Sequence, residues 1–577
     1  MRMLLFRRAL IGVTGVLFIL VIPRHVVASE VAPNSGAPYL QSQMSRQSTL
    51  SLLLRAEATG ELDTPTTDLY LALALTNDPR LPSAYVGQGT WRGTSALQRI
   101  RRHLGSASTP PGLVRSWTAT SQAMYTEIAS ILSTDQCDNK SENLTSVLDT
   151  DHFHIEYSPA LVSNGLTISD FAKWLEIAWN TEIGTFGWAA PPIKSNAPSH
   201  KYPVRVSPLS GGLLGVTTDI GTYAGFIGDN PNTPWNDVGA EASCMVINST
   251  IGQYRNASNI LAATAAHEFA HSVQFGMNSF PTQNGEDMFV ESTAVLTEDE
   301  VVDGSNDGIS YLWPDLKTCM ALFTSNSTTD FFPYEYWIVF RAMTERYGHA
   351  VAGGIEQWIQ DVFETASIQQ NWTLDTFNTA FASRGTTLGQ AFHEAAISMK
   401  FDKQCSATYR QPYCFIEGAS YAAATANGQT INPAIAYDAV LTTPTSIAAG
   451  SIADNYTAAW ILLPGVAASL HVTVENISSG GEFRSSLACD TGATMVIVPL
   501  TVANPNNSQS SRVSLPGQAQ SGAFPVGSSC KQLALVITNQ AQTAAAPTSC
   551  PLESFRVRMS TSPIVLDKHI RLPFVKN

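Results

Sequence analysis

The sequence predicts a multidomain α+β protein with an N-terminal helical region, a two-lobed central domain and a C-terminal β-sandwich. Three observations predict it. At 577 residues the chain exceeds what one hydrophobic core serves and divides into about three folded parts. Apolar residues recur at helical spacing in the first part, whereas short alternating runs broken by Gly, Pro and Asn fill the stretch beyond Cys414. Between them, short strands give way to long helices. The expected boundaries are 1–28 for a signal peptide, 29–148 for the helical region or propeptide, 149–404 for the central domain and 405–577 for the sandwich.

Arg2, Arg7 and Arg8 precede an apolar run from Ala9 to Ile22, and Val26-Val-Ala28 offers small residues for cleavage. That is a signal-peptide layout, too short for a comfortable membrane span. No later stretch is apolar over membrane length, so the mature chain is expected to be exported, soluble and free of membrane. Leu50 to Ala56, Thr67 to Leu75 and Leu113 to Leu132 then repeat apolar residues at helical spacing. These helices are either a propeptide that masks a cleft or a fixed N-terminal domain.

From His152 the pattern turns to strands: Phe153 to Tyr157, Val204 to Val206 and Ala242 to Ile247. His152 and His154 occupy strand positions without a third donor nearby and are not expected to be ligands. A long helix follows, from Ile260 to Gln274, with capping side chains at Asn256-Ala-Ser-Asn259 and Gly276 at its stop. It carries His267-Glu268-Phe269-Ala270-His271. Two histidines four apart leave one helix face together and reach a single ion, while Glu268 sits about 100° round the helix, off the ion but near its water. A second helix, from about Met288 to Val301, carries Glu291 and turns a carboxylate toward the imidazoles. His267, His271 and Glu291 thus form a His₂Glu zinc site with an open fourth position, and Glu268 is its general base. The chain reads as a zinc-dependent hydrolase.

His267-Glu-Phe-Ala-His-Ser-Val-Gln274, Phe289-Val-Glu-Ser-Thr-Ala294 and Thr297-Glu-Asp-Glu-Val301 resemble the gluzincin metalloproteases, of which thermolysin is the best known. The nearer likeness is to a group of secreted bacterial metalloproteases with an HEFxHxxQ helix, and it spans roughly residues 151–400. The resemblance implies a zincin-like two-lobed catalytic domain, zinc on His267, His271 and Glu291, and Glu268 as base. Thermolysin has an Asp four residues after its ligand Glu, where this chain has Val295. The partner of the first histidine is therefore open between Glu298 and Asp299. An oxyanion donor is also needed. Tyr334 matches a Tyr-x-x-Trp pattern of the bacterial group and is favoured over Tyr336 and His349, the alternative being that both tyrosines simply fill the core. In zincin folds an edge strand just before the active-site helix pairs with extended substrate backbone, a role that would fall to Ala242 to Ile247; the alternative is an ordinary buried strand.

Asp303-Gly-Ser-Asn-Asp-Gly308 spaces oxygen donors as calcium loops do, making Ca2+ a second candidate ion. Pro314 stands where an EF-hand places its bidentate Glu, so an interhelical turn is the expectation. Helices are expected from Tyr334 to Tyr347, Val351 to Thr365 and Leu388 to Phe401, and sandwich strands at Thr443–Ile447, Ala458–Leu463, Ser469–Glu475, Thr494–Val498 and Gln532–Thr538.

The formal charge of −14 excludes nothing but offers no basic surface for nucleic acid, and charged residues at 14% are sparse, as suits an exported protein. None of the eight cysteines shows CxxC spacing, which argues against a structural zinc ribbon and for disulfides. Cys405 with Cys414 is the expected local bridge; Cys489, Cys530 and Cys550 leave one partner open. Asn143, Asn248 and Asn371 lie in glycosylation sequons.

The functional expectation is a secreted zinc endopeptidase acting on protein or peptide substrates, with the sandwich as a module for surface or matrix binding. The alternative is a secreted binding or adhesion protein whose metalloprotease-like helix is structural. An aminopeptidase is disfavoured because its Gly-x-Met-Glu-Asn signature is missing before His267.

Overall fold

A mixed five-stranded sheet positions the centre of the molecule. The computed structural model describes residues 48–107, 118–132, 137, 144–160, 162, 165–277, 287–302, 308–309, 334, 336–348, 357–369, 374–401, 403–406, 413–423, 425–426, 429–430, 438–443, 447–453, 456–464, 469–478, 480–502, 518–524, 530–541 and 552–562. The expected signal peptide, the Asp303–Asp307 donors, His349, Asn143, Asn371, Cys319 and Cys550 lie outside the described residues.

The sheet is built from β1 (Ser146–Asp149), β2 (Phe153–Tyr157), β3 (Tyr202–Ser207), β4 (Gly215–Thr218) and, after the small hairpin β5 (Gly225–Gly228) and β6 (Ala240–Ala242), β7 (Cys244–Asn248), in the order β1-β2-β3-β7-β4. β2, β3 and β7 run parallel, and antiparallel β1 and β4 close the two sides. β7 is buried at every residue, as expected of a strand covered on both faces. Its interior place corrects the expectation for Ala242 to Ile247: that stretch is no edge, and β4 is the strand at the margin.

Among the described residues four α-helices precede the sheet: α1 (Thr49–Ala58), α2 (Thr64–Leu75), α3 (Thr94–Ala107) and α4 (Ala119–Leu132). Their apolar faces share one core with Leu213, Val216 and Val246, so they cover the β4–β7 side of the sheet. On the opposite face lie α5 (Ile168–Trp179) and α6 (Ala257–Phe275), anchored by an aromatic cluster. Phe269, inside the histidine motif, sits 5.5 Å from Phe153, 5.3 Å from Trp179 and 6.1 Å from Tyr202, ring centre to ring centre. Helix α6 is buried on all sides from Ile260 to Phe275, which is why its sequence is apolar all round rather than striped. Asn256 starts it in a left-handed conformation and its side chain caps nothing, contrary to the expected side-chain cap.

Helix α7 (Asp287–Val301) packs along α6, and further helices at Trp337–Tyr347, Gln357–Gln369, Leu374–Ala382 and Leu388–Phe401 continue the same core. Beyond them, two five-stranded sheets face each other over a shared apolar layer. Along strand Thr457–Leu463, Ala459 and Ile461 point into that layer, while Ala458 and Trp460 point the other way and join the core of the helices. The Trp460 indole donates to the Ala396 carbonyl at 3.0 Å. The central strands of that sheet are therefore buried on both faces. The other sheet alternates buried and partly exposed residues along Leu552–Ser560, as a strand with one wet face does.

The described architecture is mixed α/β, with Cys137–Cys244, Cys405–Cys414 and Cys489–Cys530 paired as disulfides. Such bonds persist in oxidising compartments. Among the described residues no helix is long and apolar enough to cross a membrane. The Asn248 sequon is not a glycan site in this fold: its buried side chain donates to the Leu209 and Leu213 carbonyls and accepts from the Leu209 and Thr250 amides.

Candidate metal centre

His267 and His271 leave α6 on the side that faces α7, and Glu291 in the second turn of α7 meets them. His267 Nε2 stands 3.0 Å from His271 Nε2 and 3.2 Å from Glu291 Oε2, and His271 Nε2 stands 3.4 Å from the same oxygen. Ligands held tetrahedrally at about 2.0–2.1 Å from one ion are spaced about 3.3 Å apart. The triangle therefore fits a small divalent cation.

The partners of the far ring nitrogens sharpen the fit. Nδ1–H of His267 donates to Glu298 Oε1 at 2.6 Å, and Nδ1–H of His271 donates to Gln274 Oε1 at 2.8 Å. The Gln274 amide is oriented by its own donations to the Val290 carbonyl and the Thr293 hydroxyl, both at 3.1 Å. With both protons on Nδ1, both Nε2 atoms present bare lone pairs to each other and to a carboxylate oxygen. Three buried lone pairs converging in this way repel unless a cation lies among them. Among the described residues, His267, His271 and Glu291 form a buried group able to hold a metal ion.

The three groups also shift one another's ionisation. Burial pushes His267 well below the usual imidazole range. Burial also opposes the charge on His271, but facing Glu291 outweighs it and lifts that ring. Burial would raise Glu291 as well; the adjacent imidazoles hold its carboxyl below the ordinary range instead.

Glu268 lies beside the triangle, fully buried and pushed upward by that burial. Its Oε2 accepts from the hydroxyls of Thr94 and Thr217, each at 2.9 Å. Its Oε1 has no hydrogen-bond partner among the described residues. The carboxylate is thus clamped on one oxygen and open on the other. Gly215 makes room for it, since a Cβ there would fall 2.8 Å from Glu268 Cγ and 3.0 Å from Thr264 Cγ2.

Of the two tyrosines, Tyr334 reaches the site. Its ring lies 6.2 Å from that of His267 at 30°, and its hydroxyl is 3.4 Å from Ser95 Oγ. Burial raises its pKa well above that of a free phenol, so the hydroxyl keeps its proton. Tyr336 instead donates to the Tyr456 carbonyl in the sandwich at 3.3 Å. Between the two acids left open as partners of His267, Glu298 takes the place; Asp299 lies 3.3 Å from Arg341. His152 and His154 pair with Glu176 and Asp149 at 2.7 Å, away from the triangle.

Four residues escaped the sequence reading: Arg92, Thr94, Thr217 and Gln274. Arg92 binds Glu298 Oε2 at 3.0 Å with both side chains fully buried. Gln274 had a local signal, three positions after His271 on the same helix. The other three had none, because they reach the site through tertiary packing. Comparison with protein-family models and with curated proteins finds no match for this chain.

Proposed function

We propose that the protein is a secreted zinc-dependent metalloendopeptidase of gluzincin type. The observation that carries this reading is the convergence of His267 Nε2, His271 Nε2 and Glu291 Oε2 within 3.4 Å of one another, with the free oxygen of Glu268 alongside. Two histidines and a carboxylate with a fourth position open are the donor set of catalytic zinc. A zinc ion bound there supplies Lewis acidity, making water acidic enough to deprotonate near neutral pH and polarising a carbonyl.

The chain's own residues account for the rest. Glu268 Oε1 takes the proton of the attacking water while Oε2 stays fixed by two threonines, and it returns that proton to the leaving amine. Its burial-raised pKa suits a group that must both accept and release a proton. Tyr334 donates its hydroxyl proton in a hydrogen bond to the oxyanion forming on the scissile carbonyl. Glu298 and Gln274 hold the rings so that Nε2 faces the ion. In this reading the sheet with α6 forms one zincin-like lobe and α7 with the later helices the other, and the peptide lies between them.

The direct test is metal analysis of the purified protein, followed by casein digestion with and without a chelator. One zinc per chain and digestion abolished by chelation and restored by zinc are expected. A protein without bound metal, and without activity after zinc is added, would refute the reading. The disulfides are consistent with export. Any attachment to a surface or matrix through the sandwich would fall to its outer sheet or to the sandwich margins, since the central strands of the inner sheet are buried on both faces.

A further inference from the structure

The segment Trp91–Gly93, which leads into α3 at Thr94, runs along the outer margin of β4. Trp91 N donates to the Gly212 carbonyl at 3.0 Å, Leu214 N to the Trp91 carbonyl at 2.9 Å and Gly93 N to the Gly215 carbonyl at 2.9 Å. Thr217 N donates to the Thr94 hydroxyl at 2.9 Å, and that hydroxyl donates in turn to Glu268. From the same segment Arg92 enters the site and binds Glu298, 206 positions away in sequence. The two side chains flank the proposed machinery, one behind the base and one behind the first histidine.

Charge gives the arrangement a reason. Glu268, Glu291 and Glu298 place three carboxylates in a buried space. A divalent ion balances two of those charges, and Arg92 balances the third. Buried charges persist when paired and hydrogen-bonded. The N-terminal helices that follow and precede Arg92 also share a core with Leu213 and with Val216 and Val246 of the sheet, and Cys137, after α4, is bonded to Cys244 of β7. A cut between Cys137 and β1 would therefore leave the N-terminal part covalently attached.

We infer that the N-terminal helical region is a permanent part of the metal centre, with Arg92 and Thr94 as its positioning residues, rather than a cover removed on maturation. Arg92 fixes the Glu298–His267 pair; Thr94, with Thr217, fixes Glu268. The inference rests on the metal reading above. One consequence is that an extended substrate cannot add to β4 at Gly215 and Thr217, whose outward groups Gly93 and Thr94 already hold.

The test uses the full chain. Zinc affinity is measured by competition with a chelating indicator for the parent, Arg92→Met and Arg92→Lys, with folding checked by circular dichroism, and the visible spectrum of each is recorded after cobalt substitution. Arg92→Met should bind zinc about 10- to 100-fold more weakly, the usual effect of losing a residue that orients a ligand. Its cobalt spectrum should shift, and Arg92→Lys should restore part of both. A folded Arg92→Met with the parent's affinity and spectrum would overturn the inference.

A second arm covers a variant that does not fold. A protease site is inserted between Cys137 and β1, and the chain is cut with the Cys137–Cys244 bridge present or replaced by serines. Cut protein should keep zinc while the N-terminal part remains and lose it when that part is separated. Separation that leaves zinc bound and raises peptide hydrolysis would make the region an inhibitory leader and overturn the inference. If the uncut parent binds no divalent ion, the metal reading itself fails, and this inference with it.

Discussion

Glu298 stands seven residues after Glu291 on α7 and accepts a 2.6 Å hydrogen bond from Nδ1 of His267. Seven positions are about two helical turns, so both carboxylates share the face that meets α6. Glu291 presents an oxygen to the near side of the imidazole, and Glu298 holds the far side. Where the thermolysin pattern has its orienting acid one turn after the ligand, this chain has apolar Val295, and the carboxylate comes one turn later. Glu298→Gln should weaken zinc binding about 10- to 100-fold. Glu298→Ala should also cost about 3–5 kcal/mol in stability, because it breaks the buried ion pair with Arg92. Chelator competition and urea unfolding measure the two effects.

Glu268 and Glu291 should separate cleanly by variant. Glu268→Gln is expected to retain zinc and lose about 10²- to 10⁴-fold in kcat, the range for a general base. Glu291→Gln removes a charged ligand and should yield protein purified without stoichiometric metal. Metal content and kcat measured on both variants check the assignment; retained activity in Glu268→Gln would take the base role from that residue.

Tyr334→Phe deletes one hydroxyl from a buried ring. If that hydroxyl serves the oxyanion, kcat should fall about 10²- to 10³-fold with zinc content intact. A variant with parental kcat and altered stability alone would return Tyr334 to the core, where its ring also packs.

His393 gives a pH dependence that lies away from the metal. On the helix Leu388–Phe401, its ring meets the Thr538 and Ser486 hydroxyls of the sandwich, each at 2.9 Å. Burial, aided by nearby Arg484, pushes its pKa down to about 3 from 6.5. Between those values the unfolded chain binds the proton and the folded chain does not, so stability rises with pH in that window. The contribution is complete above about 6.5 and is lost toward about 3, with a slope of about 1.4 kcal/mol per pH unit. His393→Gln should remove that component of the slope in urea midpoints recorded from pH 7 to 4.

The sandwich should not be dispensable. Truncation after Cys414 would uncover the helix surface that Trp460, Ala534 and Val536 now bury. The truncated chain is expected to aggregate or unfold, and Trp460→Ala in the full chain should cost about 3–5 kcal/mol. A stable, monomeric truncation with unchanged thermal midpoint for the remaining part would show the sandwich to be an independent appendage.

Much of this protein was legible as a string of residues wherever the information was local. Helix α6, α7 and Leu388–Phe401 follow from apolar content and periodicity, and the His267, His271 spacing follows from helical pitch alone. The bridge Cys405–Cys414 was legible because only eight residues separate its ends. Helix α3 falls within the expected helical region but was not delimited, helix α5 was not anticipated, and neither was the strand Phe483–Asp490, whose small and polar residues gain their burial from neighbouring strands. The margin of the sheet was misplaced, since strand order depends on crossovers that a linear pattern does not encode.

The candidate metal ligands and the proposed base were thus written into two adjacent helices, because a fixed pitch converts spacing into direction. Which acid supports His267, which tyrosine reaches the site and which residues clamp Glu268 emerged only when distant segments packed together. Arg92 lies 206 positions from Glu298, and no periodicity spans such a gap. Burial made the difference: excluding water forces each charge to find a partner, and the partner is whichever group the fold brings within reach.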